Sequence, residues 1–115
     1  MASKICIVGS SNIDQIAYVD STPSDGETVF GNEYKMGFGG KGANQAVMAG
    51  LMGAETYMIT CLGDDVYADM TIDNYKKSGV NVDFIQRVPG QVGLLQYGLM
   101  AQGKTGLLLC LVQMI

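Results

Sequence analysis

The sequence contains no histidine and no tryptophan, only two prolines and three cysteines, and charged residues make up just 16% of it. Without histidine there is no Ser-His-Asp triad, no imidazole general base and no histidine-ligated metal within these 115 residues. The cysteines, Cys6, Cys61 and Cys110, are odd in number, widely spaced and without a CxxC pair. That pattern suits a reducing compartment and predicts buried thiols rather than a disulfide frame or a zinc site. Seven basic against eleven acidic side chains leave a net charge of −4 with no basic cluster, which argues against nucleic acid or an anionic membrane as partner. The longest apolar stretch, Leu107–Val112, is far too short to span a membrane. The opening Met1-Ala2-Ser3-Lys4 leads into no secretory core. The expectation is a soluble, cytoplasmic protein.

What is present points to a packed α/β domain or a piece of one: hydrophobic residues reach 48%, too many for a disordered segment. Ile5-Cys6-Ile7-Val8 closes on Gly9 and reads as a strand buried on both faces. Gly9-Ser10-Ser11-Asn12-Ile13-Asp14 reads as a polar loop, Ile16–Val19 as a short strand, and the segment around Pro23 as a turn. Thr28–Met36 is expected to be a strand, bent near Gly31-Asn32. Ala43, Ala46, Val47, Gly50 and Leu51 recur at helical spacing, with Gly53 as the stop. Tyr57–Cys61 reads as a second buried strand. A helix capped by Asp64 or Asp65 then runs to about Ser78, and a strand covers Val80–Val88. Alternating strands and helices predict a largely parallel sheet flanked by helices. The eight methionines read as core filler.

The most informative run is Gly39-Gly40-Lys41-Gly42-Ala43-Asn44-Gln45-Ala46. Its glycines allow positive φ and close approach to the backbone, and it enters a helix N-terminus whose amides favour anionic or hydroxyl oxygens. Asn44 offers both a donor and an acceptor, as a polyol requires. The same run could serve only to pack helix against strand, and spacing alone leaves both readings open.

Residues 39–47, G-G-K-G-A-N-Q-A-V, resemble the first signature of the PfkB carbohydrate kinase family, in the form found in its ribokinase branch. Gly9-Ser10 with Asn12 and Asp14, Gly26-Glu27-Thr28, Gly63-Asp64-Asp65 and Gly79-Val80 follow in the family's order. The resemblance implies a ribokinase-like fold, truncated here, with part of a small β-lid. It also implies ATP-dependent phosphorylation of a pentose, D-ribose to D-ribose 5-phosphate. Asp14, with Asn12 beside it, would accept bonds from sugar hydroxyls, while Gly40, Lys41, Gly42 and Asn44 would line the sugar's other side. The alternative for Asp14 is a solvated turn carboxylate. Asp64 and Asp65 read as helix caps rather than metal ligands. ATP, Mg2+ and a monovalent cation are implied as cofactors, and a homodimer through the lid as the assembly. The family's G-A-G-D motif, which supplies the anion-stabilising turn and the aspartate base, does not occur in this sequence. No residue here is therefore expected to be the catalytic base.

From about residue 91 the resemblance lapses, dividing the chain into a family-like portion, 1–90, and an atypical tail, 91–115. Within the tail, Gly98–Thr105 satisfies the Walker A pattern, so a P-loop nucleotide hydrolase using Lys104 and Thr105 is one alternative. A non-catalytic sugar- or nucleoside-binding module is another. A change of reading frame explains the tail better. Taking the third base of each codon with the first two of the next, from Leu95 on, permits a family-like continuation. Met100-Ala101 then becomes glycine and Met114-Ile115 aspartate. On this reading the present tail leaves the lid strands without partners.

Overall fold

The computed structural model describes residues 3–89 and, for the backbone, residues 93–100 and 105–108. Along the chain run β1 (Lys4–Val8), β2 (Asn12–Val19), β3 (Glu33–Gly39), α1 (Lys41–Leu51), β4 (Glu55–Leu62), α2 (Val66–Lys77), β5 (Val80–Asn81), β6 (Ile85–Arg87), β7 (Gly93–Met100) and β8 (Thr105–Leu108). Two sheets result. In the core sheet β4 pairs in parallel with β1, β5 and β6. In the second, the lid, the order is β3-β2-β7-β8; β2 runs antiparallel to β3 and parallel to β7, and β7 antiparallel to β8.

The helices cover one face of the core sheet. Along β4, Thr56, Met58, Thr60 and Leu62 are buried while Glu55, Ile59 and Cys61 are exposed, the period of two of a half-buried strand. Ile7, Ala43, Ala46, Met58, Tyr75 and Val80 form the main core cluster, and Ile13, Leu62 and Ala68 a second under the lid. Among the described residues, nothing covers the opposite face. Val8 is 77% exposed, and both Cys6 and Cys61 lie on the surface. The expectation of strands buried on both faces, and of buried thiols, is thus corrected: continuous apolar runs mark sheets covered twice, and these residues supply one cover. Cys110 lies outside the described residues. Met58 is core, but Met48 and Met52 are exposed, so the methionines are only partly filler.

Boundaries shift where pairing decides them. β2 starts at Asn12, so the polar loop shrinks to Gly9–Ser11, and Asn12 and Asp14 become strand residues. β3 begins at Glu33 because its register with β2 ends at the Tyr18↔Glu33 pair; Phe30, 93% exposed, has no strand to lie on. The Val80–Val88 strand is two short ones, interrupted where Asp83 N donates to Asn81 Oδ1 at 2.9 Å, a side-chain turn that competes with the ladder. The Asp65 cap is as expected: its carboxylate accepts from Ala68 N at 3.0 Å.

The tail differs most from expectation. β7 follows β2 from Asn12↔Gly93 to Val19↔Met100, and β8 returns along β7. The edge of β2 is therefore paired by the chain's own tail. Gly98 faces Gly106 and Leu99 faces Thr105 in that hairpin. A P-loop needs strand, loop and helix; here Gly98–Met100 end β7 and Thr105 opens the antiparallel β8, while residues 101–104 lie outside the described residues. No helix among the described residues is long and apolar enough to cross a membrane.

Candidate functional site

Three segments meet where β1 gives way to β2. The first is the loop Gly9–Ser11. Gly9 N donates to Ile59 O at 3.2 Å, and Ser10 O accepts from Ala43 N at 3.1 Å, so the loop is stitched to β4 and to the first turn of α1. The approach is close: a Cβ on Gly42 would lie 2.7 Å from Gly9 Cα. The second segment is the glycine turn. Gly40 caps α1 at φ 103°, ψ 135°, without a side-chain hydrogen bond, and a Cβ there would meet Ser10 O at 2.4 Å. Only glycine adopts that conformation and leaves that space.

The third segment is the start of β2. Asn12 and Asp14 alternate onto the same face, opposite Gly39 and Gly37 of β3. Asn12 Nδ2 donates to Asp14 Oδ1 at 2.9 Å. A Cβ on Gly39 would lie 2.7 Å from Asn12 Nδ2 and from both Asp14 oxygens. The two side chains thus rest on bare glycine backbone. Partial burial pushes the Asp14 carboxyl up from its ordinary value, and the Asn12 bond opposes the shift. A partly desolvated carboxylate with one bond from Asn12 keeps acceptor capacity for a hydroxyl-bearing ligand.

Of the residues singled out from sequence, Asn12, Asp14 and Gly40 come together here, and Gly42 locks the turn against Gly9. Lys41 opens α1 with its side chain exposed, and α1 carries no acidic residue in its first turn to compete for those amides. Asn44 lies one turn further on. Its side chain borders a cavity of about 270 Å3 shared with Gly39, Phe38, Thr71, Asn74 and Tyr75, which Asn12 and Asp14 do not line. The sequence assigns no contact role to Gly39 or Tyr75 and places Ser11 only in a polar loop, without its bond to Tyr75. Only the β2–β3 register reveals that Gly39 sits under the Asn12–Asp14 pair.

Among the described residues no group of three carboxylate or cysteine side chains could hold a metal ion. Of the Gly98–Thr105 run, the described residues Gly98–Met100 and Thr105 lie on the paired strands β7 and β8 and form no phosphate-binding loop; Lys104 lies outside the described residues.

The pfkB family carbohydrate kinase model matches residues 2–105. The chain belongs to this family. Dictyostelium discoideum ribokinase is 44% identical over 88 residues, 76% of this chain and 28% of that protein. Salmonella typhi deoxyribokinase is 42% identical over 85 residues, 74% and 28% respectively. Arabidopsis thaliana ribokinase, solved with ribose and ATP, superposes with a TM-score of 0.87 at 28% identity, covering 95% of this chain and 36% of its own. The fold is therefore ribokinase-like, and the chain spans a little over a quarter of the curated relatives it matches. The pfkB match runs past residue 91, whereas these two curated relatives align over fewer than 90 residues.

Proposed function

We propose that this chain carries the sugar-binding portion of an ATP-dependent pentose kinase, with D-ribose as the substrate to be phosphorylated at its primary hydroxyl. The observation that carries the reading is the Asn12–Asp14 pair held over Gly39 beside the start of α1, which has no side-chain cap. Asp14 would accept bonds from two adjacent sugar hydroxyls, with Asn12 fixing the carboxylate's orientation. Gly40, Lys41 and Gly42 would present backbone amides to sugar oxygens, and Asn44 would close the far side. The walls of the neighbouring cavity are largely apolar, so the sugar is assigned to the Asp14 side of Gly39.

The nucleotide, its magnesium, the monovalent cation and the base that deprotonates the sugar are assigned to parts of the kinase beyond the described residues. Phosphoryl transfer is mostly positioning and charge stabilisation, so a sugar half-site alone performs none of it. A cytoplasmic location and a dimer through the lid belong to the same reading; Tyr34, Met36 and Phe38 lie exposed along β3, where such a contact would form. The tail from residue 91 is taken as a change of reading frame on the codon argument given above, within a family match that itself runs to residue 105.

Calorimetric titration of the chain with D-ribose and 2-deoxy-D-ribose, followed by a turnover assay with ATP, tests the proposal. Saturable pentose binding with no sugar phosphate formed is the expected result. ATP-dependent phosphorylation by this chain, or pentose binding untouched by Asp14→Ala, would overturn it.

A further inference from the structure

Tyr75 sits on the inward face of α2 and is 1% exposed, packed in the main core with Ile7, Ala43, Ala46 and Met58. An aliphatic side chain would fill such a position without a polar demand. A buried phenol hydroxyl needs a partner. It finds one 64 residues away: Tyr75 OH and Ser11 Oγ lie 2.5 Å apart. Ser11 is the last residue of the loop that runs directly into Asn12. Among the described residues the loop's other ties are backbone bonds at Gly9 and Ser10, so the Tyr75 hydroxyl holds the loop at the position nearest the Asn12–Asp14 pair.

We propose that Tyr75 is a positioning residue of the sugar subsite, which through Ser11 fixes the loop that delivers Asn12 and Asp14 over Gly39. The inference rests on the sugar-binding reading given above. Tyr75 also borders the cavity lined by Gly39 and Asn44 of the glycine turn. The device is geometric. A loop of three residues has few internal degrees of freedom, and anchoring its last residue restricts the χ and backbone angles from which Asp14 projects.

The experiment compares the 115-residue chain with Tyr75→Phe, Ser11→Ala, Ser11→Thr and the Tyr75→Phe/Ser11→Ala double variant, by amide hydrogen exchange and D-ribose titration. Loss of one such bond should speed exchange at the Ser11–Asp14 amides about fivefold and weaken D-ribose by a similar factor. Exchange in β4 should stay unchanged. The double variant should be no worse than either single one, and Ser11→Thr, which keeps the hydroxyl, should behave as wild type. A purely structural Tyr75 would instead accelerate β4 together with the loop and leave the losses additive, and that overturns the proposal. So does unchanged loop exchange in Ser11→Ala, whether or not Tyr75→Phe folds. If the wild-type chain fails to bind D-ribose, the sugar reading falls. Loop exchange then decides alone: acceleration confined to Ser11–Asp14 upholds the positioning role, and unchanged exchange refutes it.

Discussion

The carboxylate of Asp14 occupies the space that a side chain on Gly39 would need: both its oxygens lie 2.7 Å from where a Cβ would stand. Neither residue explains itself alone. Asp14 can lie flat across the β2–β3 ladder because Gly39 has no side chain, and Gly39 is tied to glycine by what lies over it rather than by its backbone angles.

Gly39→Ala and Gly40→Ala should therefore fail in different ways. The atoms in the way at Gly39 are ends of side chains, which can turn aside, so the fold should survive within about 1 kcal/mol while D-ribose affinity drops about tenfold or more. At Gly40 the obstacle is the Ser10 carbonyl and φ is positive, so alanine should cost roughly 2–4 kcal/mol of stability. Urea unfolding and sugar titration of both variants separate the two. Equal stability loss would contradict the assignment of Gly39 to the site.

Asp14 should make the fold slightly less stable at neutral pH. Its folded pKa is raised above the ordinary 3.8, chiefly by burial and against the Asn12 bond. The associated stability is fully present below the unfolded pKa and is lost as pH rises through the folded one. Asp14→Asn should thus unfold at a higher temperature than wild type at pH 7, with the difference vanishing near pH 3, and should bind sugar more weakly. A variant less stable than wild type at pH 7 and equal to it at pH 3 would reverse the sign.

The bare face of the core sheet carries two accessible thiols. Cys6 and Cys61 should alkylate in the native chain at rates near those of the unfolded chain, as judged by mass spectrometry of peptides after brief labelling. Protection of either would mean that something covers this face in solution, a second copy being testable by repeating the labelling at lower concentration.

How far the sequence discloses this structure depends on which cause acts. The helices were readable because periodicity, the Asp65 cap and the glycine turn are local. β2 and β3 were misplaced by several residues because their limits are set by each other's register, which no local signal encodes. The parallel strands of the core sheet looked doubly buried from composition, since Ile5–Val8 is apolar throughout, yet cover depends on what packs against it. At the site, Asn12, Asp14 and Gly40 were legible through motif resemblance. Gly39, Ser11 and Tyr75 were not, because their roles arise from contacts across 25 to 64 positions.

The tail should prove to be out of frame. Sequencing the coding DNA across codons 85 to 115 should reveal, in the shifted register, an uninterrupted family-like continuation with tryptophan or arginine spanning Tyr97-Gly98. Stop codons in that register would contradict the account, and the β7–β8 hairpin would then be the native lid.

The central claim, that Asp14 anchors a pentose beside the glycine turn, is tested most directly by titrating the 15N-labelled chain with D-ribose and repeating the titration on Asp14→Ala. The account predicts saturable shifts clustered on Asn12–Asp14 and Gly39–Asn44, with affinity weakened by about 2–4 kcal/mol in the variant, the order expected for losing charge-assisted bonds to a polyol. Shifts absent from those amides, or unchanged in Asp14→Ala, would contradict it.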